Sequence, residues 1–302
     1  MTPRSPLSRL EFLRRSLPAA ALAVTAVPRF LAAAPAHGLT IGLSQYSLKG
    51  LFSSGKLDPL DYPAFARREF GITELDLWEG GLPAARLDDA PYLADLRQRA
   101  AATGTNLFLL MAGVVDATAG TGKAKKRATP ADHQRSIERG VQLGVRYVRF
   151  FVSASEGDRT VALGRCADAL RPLADFAQAR GITIAIEPGA SNHTQDGAFL
   201  AEMAARVNHP GCRLMPDFGK LRGDIYAGTR AMLPHSAVVS AKTHEFDAAG
   251  NQVEFDYFRL MKLIADSGFR GIVAIEWEGK QLDAVAGVHA SKKLIERALA
   301  AL

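Results

Sequence analysis

Three carboxylates in this chain stand where apolar runs come to an end. Glu187 closes ITIAIE and Glu276 closes GIVAIE, both runs built from β-branched residues suited to burial. Asp217 follows the shorter run CRLMP in LMPDFGK. A carboxylate taken out of water alone is strongly penalised unless it is paired or binds a metal. Three acids in one pocket also repel one another until a cation compensates them. A divalent ion does so with a hard set of carboxylate and imidazole or water ligands, a set suited to manganese, magnesium, cobalt or zinc. The run AVVSA leads into AKTHEF and brings Lys242 and His244 to the same region. Glu187, Asp217, His244 and Glu276 are therefore the expected ligands of one divalent ion, manganese first. Plainer readings stand beside this one. Glu187 could pair with an arginine, Asp217 could cap a loop, and Lys242 could be a salt-bridge partner of Glu276. One of Glu276 and Glu278 reads as a solvated loop charge.

The elements that must hold these residues alternate along the chain. Short apolar strands are expected at 39–43, 73–78, 106–111, 145–151, 182–187, 212–216, 237–241 and 271–276. Amphipathic stretches such as YLADLRQRAAATG, HQRSIERGVQLG and FRLMKLIADSGF lie between them, and glycines such as Gly144, Gly181 and Gly268 precede the next strand. That is helix C-cap chemistry. Strands alternating with helices imply parallel pairing, and near-continuous apolar strands imply burial on both faces. Eight such units predict an α/β fold of the (β/α)8 TIM-barrel type as a single domain over 39–302. An open doubly wound sheet would carry a glycine-rich phosphate loop after an early strand. Here the first strand runs into SQYSLKGLF instead, and GTGK at 120–123 reads as a solvated loop.

Barrel strands converge at their C-terminal ends, which gathers further candidates around the acids. Arg149, Gln45, Lys220 and His193 are expected to bind substrate hydroxyls. Trp78 and Trp277, beside the ends of their strands, are expected to offer aromatic faces to a sugar. His133, His209, His235 and His289 fall away from strand ends and read as structural or surface residues.

The formal charge is +6, but residues 1–36 contribute five arginines against one glutamate, leaving 32 basic and 30 acidic side chains in the remainder. A near-neutral body argues against a nucleic-acid partner. The first 36 residues read as an export signal: a basic segment, a short apolar stretch and Ala-Pro-Ala for cleavage. SRLEFLRRS resembles a twin-arginine motif with Leu10 in place of the second arginine, so a periplasmic or secreted location is expected. No later segment is a membrane-span candidate, and self-association into a homo-oligomer is compatible with the reading. Cys166 and Cys212 read as two buried thiols.

From Ile41 onward the chain resembles the sugar phosphate isomerase/epimerase family of xylose-isomerase-like TIM barrels. IAIEPG, LMPDFGK, VSAKTHEFDAAGN and GIVAIEWEG followed by GVHASKKLI carry the resemblance. It implies a metal held by Glu187, Asp217, a strand-seven histidine and Glu276, with Glu187 and Glu276 as the catalytic acid and base. The family histidine falls at Ser240, with His244 as its expected substitute, and Lys220 stands where a second histidine often follows the aspartate. The implied reaction is proton abstraction beside a sugar carbonyl through an enediolate, on a non-phosphorylated carbohydrate. Elimination from a 3-keto-glycoside and sugar binding without catalysis are the alternatives.

Overall fold

Eight apolar runs form the strands of a computed structural model that describes residues 38–118 and 128–302. They are β1 (Leu39–Leu43), β2 (Glu74–Trp78), β3 (Asn106–Ala117), β4 (Tyr147–Ala154), β5 (Thr183–Glu187), β6 (Cys212–Leu214), β7 (Val238–Thr243) and β8 (Gly271–Trp277). The export signal at 1–36 and the loop at 120–123 lie outside the described residues. Every ladder is parallel, in the order β6-β5-β4-β3-β2-β1-β8-β7. Parallel bridges Leu214↔Ser236 and Asp217↔Ser240 bring β6 to β7 and close the cylinder. The eight-stranded parallel barrel expected from the sequence is therefore present. β3 continues to Ala117, past the expected end at 111, and β7 continues to Thr243, so Lys242 is a strand residue and not part of the loop.

Helices return the chain between strands, and their starts are written in the sequence. Seven consecutive helices begin on Asp89, Thr129, Asp158, Asp196, Asp224, Asp256 and Asp283, each side chain accepting a backbone N–H of the first turn. Such caps satisfy donors the helix cannot, at about 1 kcal/mol each. The helix Pro130–Leu143 ends on Gly144 at φ 73°, a left-handed turn that an L side chain adopts with strain. Among the described residues no helix is long and apolar enough to cross a membrane.

Two apolar cores follow from the period of two along each strand. The larger lies between sheet and helices and takes Ile184, Ile186, Val273 and Ile275. The smaller fills the barrel and takes Phe108, Met111, Ala185, Met215, Val238 and Ala274. Two residues beyond Ala185, Met215 and Ala274 stand Glu187, Asp217 and Glu276. The acids thus share the inward face and sit directly above an apolar plug. Cys166 and Cys212 are both free and buried, and burial pushes each thiol up to about 12.

One contact in the helix layer tolerates no side chain. A Cβ on Gly197 would lie 2.4 Å from the Cα of Gly228, where the helix Gly197–Val207 meets the helix Ile225–Met232. Alanine gains up to about 1 kcal/mol of helix propensity, while forcing two backbones apart costs about 1–3 kcal/mol. Gly197→Ala should therefore lower stability, read as a fall in the urea midpoint with the slope unchanged.

Candidate active site

The top of the barrel holds charge above the apolar plug. Glu187 and Asp217 are fully buried and Glu276 is 2% exposed. One oxygen from each lies within 4.8 Å of the others, which is the spacing of a divalent-ion site. β5 ends at Glu187, β8 carries Glu276 one residue before its end, and Asp217 follows β6 and bridges to Ser240 on β7.

The repulsion expected among these acids is answered by basic side chains. Lys242, 2% exposed, places Nζ 2.9 Å from Glu276 Oε1 and 3.3 Å from Asp217 Oδ2, and it also pairs with Glu278. Lys220 Nζ lies 2.8 Å from Glu187 Oε1 and 3.7 Å from Asp217 Oδ2. Arg149 Nε lies 2.7 Å from Glu187 Oε2, and its Nη1 donates to the carbonyl of Ala112 at 2.9 Å. The Nε–H of Arg149 is not aimed at that oxygen, so the contact is a charge pair, and Glu187 Oε2 has no directed donor. The Phe151 ring lies 4.2 Å from the Arg149 guanidinium and 4.7 Å from Lys220 Nζ, which sets both cations against one aromatic ring. Lys49 completes the group at 3.0 Å from Glu278 Oε2. Glu187, Asp217, Glu276 and Glu278 thus face Arg149, Lys220, Lys242 and Lys49.

These surroundings separate the acids by protonation. Burial pushes Glu187 up, and although Arg149 and Lys220 oppose it, its carboxyl comes to about 7. Burial acts the same way on Asp217, but Lys242 and Lys220 outweigh it and hold that carboxyl at about 2. Lys242 is raised above its ordinary range: burial lowers it, yet Asp217 and Glu276 overcome that effect and keep it charged.

By spacing the triad fits a divalent ion; by its partners it does not. Each of the three carboxylates already holds an ammonium group, and Ser240 donates Oγ–H toward Glu276 Oε2 at 2.8 Å and Asp217 Oδ2 at 3.3 Å. His244, expected as the fourth ligand, sits just past β7 and places Nδ1 2.8 Å from Glu254 Oε2, outside the triad.

Other expected residues go to different places. Trp277 faces away from the site: Glu276 points inward, so its neighbour points to the helix layer, where it stacks on Phe246 and fills the space above Gly287. Trp78 stays at the rim, edge-on to Tyr46 at 4.9 Å. Gln45 is buried and accepts from the Trp78 N–H at 2.8 Å, with its own Nε2 unpartnered. His193 stacks on Phe199, and its Nε2 lies 3.2 Å from the carbonyl of Gly157, away from the triad. Of Glu276 and Glu278, one of which was expected to be a solvated loop charge, neither is: Glu276 pairs with Lys242, and Glu278 with Lys242 and Lys49.

The sequence reading missed Asp76. It is fully buried on β2, and its Oδ1 accepts the Gln45 N–H at 2.9 Å. Burial raises its carboxyl well above the usual range. The alternation of TELDLW was the available signal, since Asp76 shares a face with Trp78.

Removing one member of a buried charge pair leaves the other uncompensated and costs about 3–5 kcal/mol. Arg149→Met should lower stability by about 3 kcal/mol in urea unfolding, at the lower end because Glu187 can take up a proton. The exposed pair Lys262–Asp266, with side chains 68% and 61% accessible, is the control. Lys262→Met should change stability by less than about 0.5 kcal/mol.

Residues 64–302 match the sequence profile of the xylose isomerase-like TIM barrel family. No curated protein matches the chain. Among solved structures, the IolI protein with a bound zinc atom superposes with a TM-score of 0.65 at 15% identity, covering 87% of this chain and 98% of that one. L-ribulose 3-epimerase gives 0.67 at 18% identity over 86% and 94%. The 3-keto-D-glucoside 4-epimerase YcjR from E. coli gives 0.66 at 11% identity over 86% and 99%. At such identities these likenesses speak for the fold alone, while the profile carries the family. The chain belongs to the xylose isomerase-like TIM barrel family.

Proposed function

We propose that the protein is a carbohydrate isomerase or epimerase that removes a proton from the carbon beside a sugar carbonyl. The observation that carries this reading is Glu187: a buried carboxylate near pKa 7 with one oxygen lacking a directed donor, beside two basic side chains. A base poised near neutral pH suits proton abstraction. The C–H bond breaks toward Glu187, its electrons form the enediolate double bond, and negative charge develops on the carbonyl oxygen. Fixed cations beside that oxygen lower the barrier because they need no reorganisation. In an isomerase Glu187 returns the proton to the adjacent carbon, while the proton of the neighbouring hydroxyl passes to the former carbonyl oxygen and leaves the new carbonyl behind. In an epimerase Glu187 keeps that proton, and Glu276, entering the step protonated, would give its own proton to the opposite face and leave ionised against Lys242. The divalent ion that the sequence reading expects, manganese first, would need Glu187, Asp217 and Glu276 free as its ligands in order to polarise the carbonyl. Lys220 and Lys242 stand at those same oxygens, so each of these steps uses the chain's own cations. The arginine-rich leader supports export, and with it a free sugar in preference to a sugar phosphate.

A cavity of about 460 Å³ favours a second reading, elimination from a 3-keto-glycoside. Phe52, Pro59, Trp78, Leu82 and Pro83 line it together with Lys49, the partner of Glu278. Its largely apolar wall suits a leaving group larger than a hydroxyl.

In deuterated water the protein should exchange the proton beside the carbonyl of a ketose or 3-keto-glycoside, followed by proton NMR. The rate should climb as pH rises through about 7, because only ionised Glu187 accepts a proton. Glu187→Gln should slow exchange by about 10³-fold. Release of the aglycone alongside exchange would select elimination. Absence of exchange on every sugar ketone tried would remove both enzymatic readings and leave sugar binding.

A further inference from the structure

We propose that Lys220 and Lys242 stand in place of the divalent ion, so that the site works without a metal. The inference rests on the proton-abstraction reading for its chemistry, but its geometry stands apart from it. The three acids carry three negative charges when ionised, and Arg149, Lys220 and Lys242 carry three positive ones at 2.7–3.7 Å. A divalent ion added to that group would leave a buried excess of two positive charges, unless the ammonium groups withdrew.

Withdrawal is opposed by how Lys242 is held. Its ammonium has a third carboxylate partner in Glu278. Its stem lies against Gly219, where a Cβ would fall 2.5 Å from Lys242 Cδ and 3.0 Å from Cγ. Glycine at that position leaves the passage through which the lysine reaches the acids. Ser240 directs its hydroxyl to the same two carboxylates that Lys242 bridges, adding a hydrogen-bond donor to oxygens that an ion would need as ligands.

The two lysines divide the ion's part between them. Lys242, 3% exposed in its side chain, is a positioning residue that fixes Asp217 and Glu276. Lys220, whose side chain is 28% exposed, is the ammonium a substrate oxygen can reach, and it donates to the charge that develops as Glu187 takes the proton. Only a proton moves in this step, so no oxidant or reductant is required.

The test begins with the full chain dialysed against EDTA, assayed for metal by plasma mass spectrometry and titrated calorimetrically with Mn²⁺ and with Zn²⁺. The expected result is no retained ion and no saturable heat. Lys220→Met/Lys242→Met, which uncovers the acids, should gain saturable binding of one ion that is lost again on adding Glu187→Gln. One ion held tightly by the wild type and lost in Glu187→Gln would overturn the proposal, and it does so even where the double variant fails to fold. Lys220→Arg, which keeps the charge, should retain solvent exchange in EDTA, while Lys220→Met should lose it. Exchange that appears only after Mn²⁺ or Zn²⁺ is restored would also overturn the proposal and leave the proton-abstraction reading standing. If no sugar ketone exchanges, that reading falls alone, and the titrations still decide whether the lysines exclude the ion.

Discussion

The ammonium of Lys242 lies among Asp217, Glu276 and Glu278, and the upper half of the barrel depends on that contact. Without it, Asp217 after β6 and Glu276 on β8 would stand buried on either side of Ser240 of β7, with Glu276 left to the Ser240 hydroxyl and Asp217 to Lys220 at 3.7 Å. The β6–β7 junction is also where the cylinder is joined most sparsely, by isolated bridges and not by a full ladder. A charge cluster therefore sits at the seam. Its neutrality and the closure of the fold support one another.

The apolar plug beneath explains why the charges matter so much. Phe108, Met111, Ala185, Met215, Val238 and Ala274 fill the lower barrel and shut water out from below. Screening at the level of Glu187 is accordingly weak, and each neighbouring charge acts strongly. The same burial gives opposite outcomes at two acids. Glu187 comes to about 7 and Asp217 to about 2, because Lys242 and Lys220 outweigh burial at Asp217. One fold thereby offers a carboxyl able to exchange a proton near neutral pH beside one that stays ionised, a division of labour that acid–base chemistry requires.

Membership of the xylose isomerase-like family fixes the scaffold and the end of the barrel at which chemistry occurs, and it leaves the reaction open. Solved structures with this fold include an epimerase of L-ribulose and one of a 3-keto-glucoside. In this chain two lysines stand at the acids and an apolar cavity lies beside Lys49. Both bear on how charge is stabilised and what else the substrate carries.

Much of the fold was legible in one dimension. Runs ending in Glu187 and Glu276, with Asp217 after CRLMP, announced strand ends and a shared acidic pocket, because period-two burial and the placement of Asp caps are local properties of the chain. Of the partners of those acids, Lys242 for Glu276 and an arginine for Glu187 were open as plainer readings, and the full set was not legible. Lys220 and Arg149 reach Glu187 from other parts of the barrel, and Glu278 finds Lys49 from the far end of the sequence. Trp277 and His244 were misplaced for a related reason. Proximity in sequence to Glu276 and Lys242 says nothing about which face a side chain takes, and the pleat turned Trp277 outward while the loop after β7 gave His244 to Glu254. The sequence by itself determined the barrel, its order of elements and the three acids at its mouth. Only the tertiary structure decided that lysines and an arginine answer those acids, because charge balance in a buried site is set by distances across the barrel that no local pattern encodes.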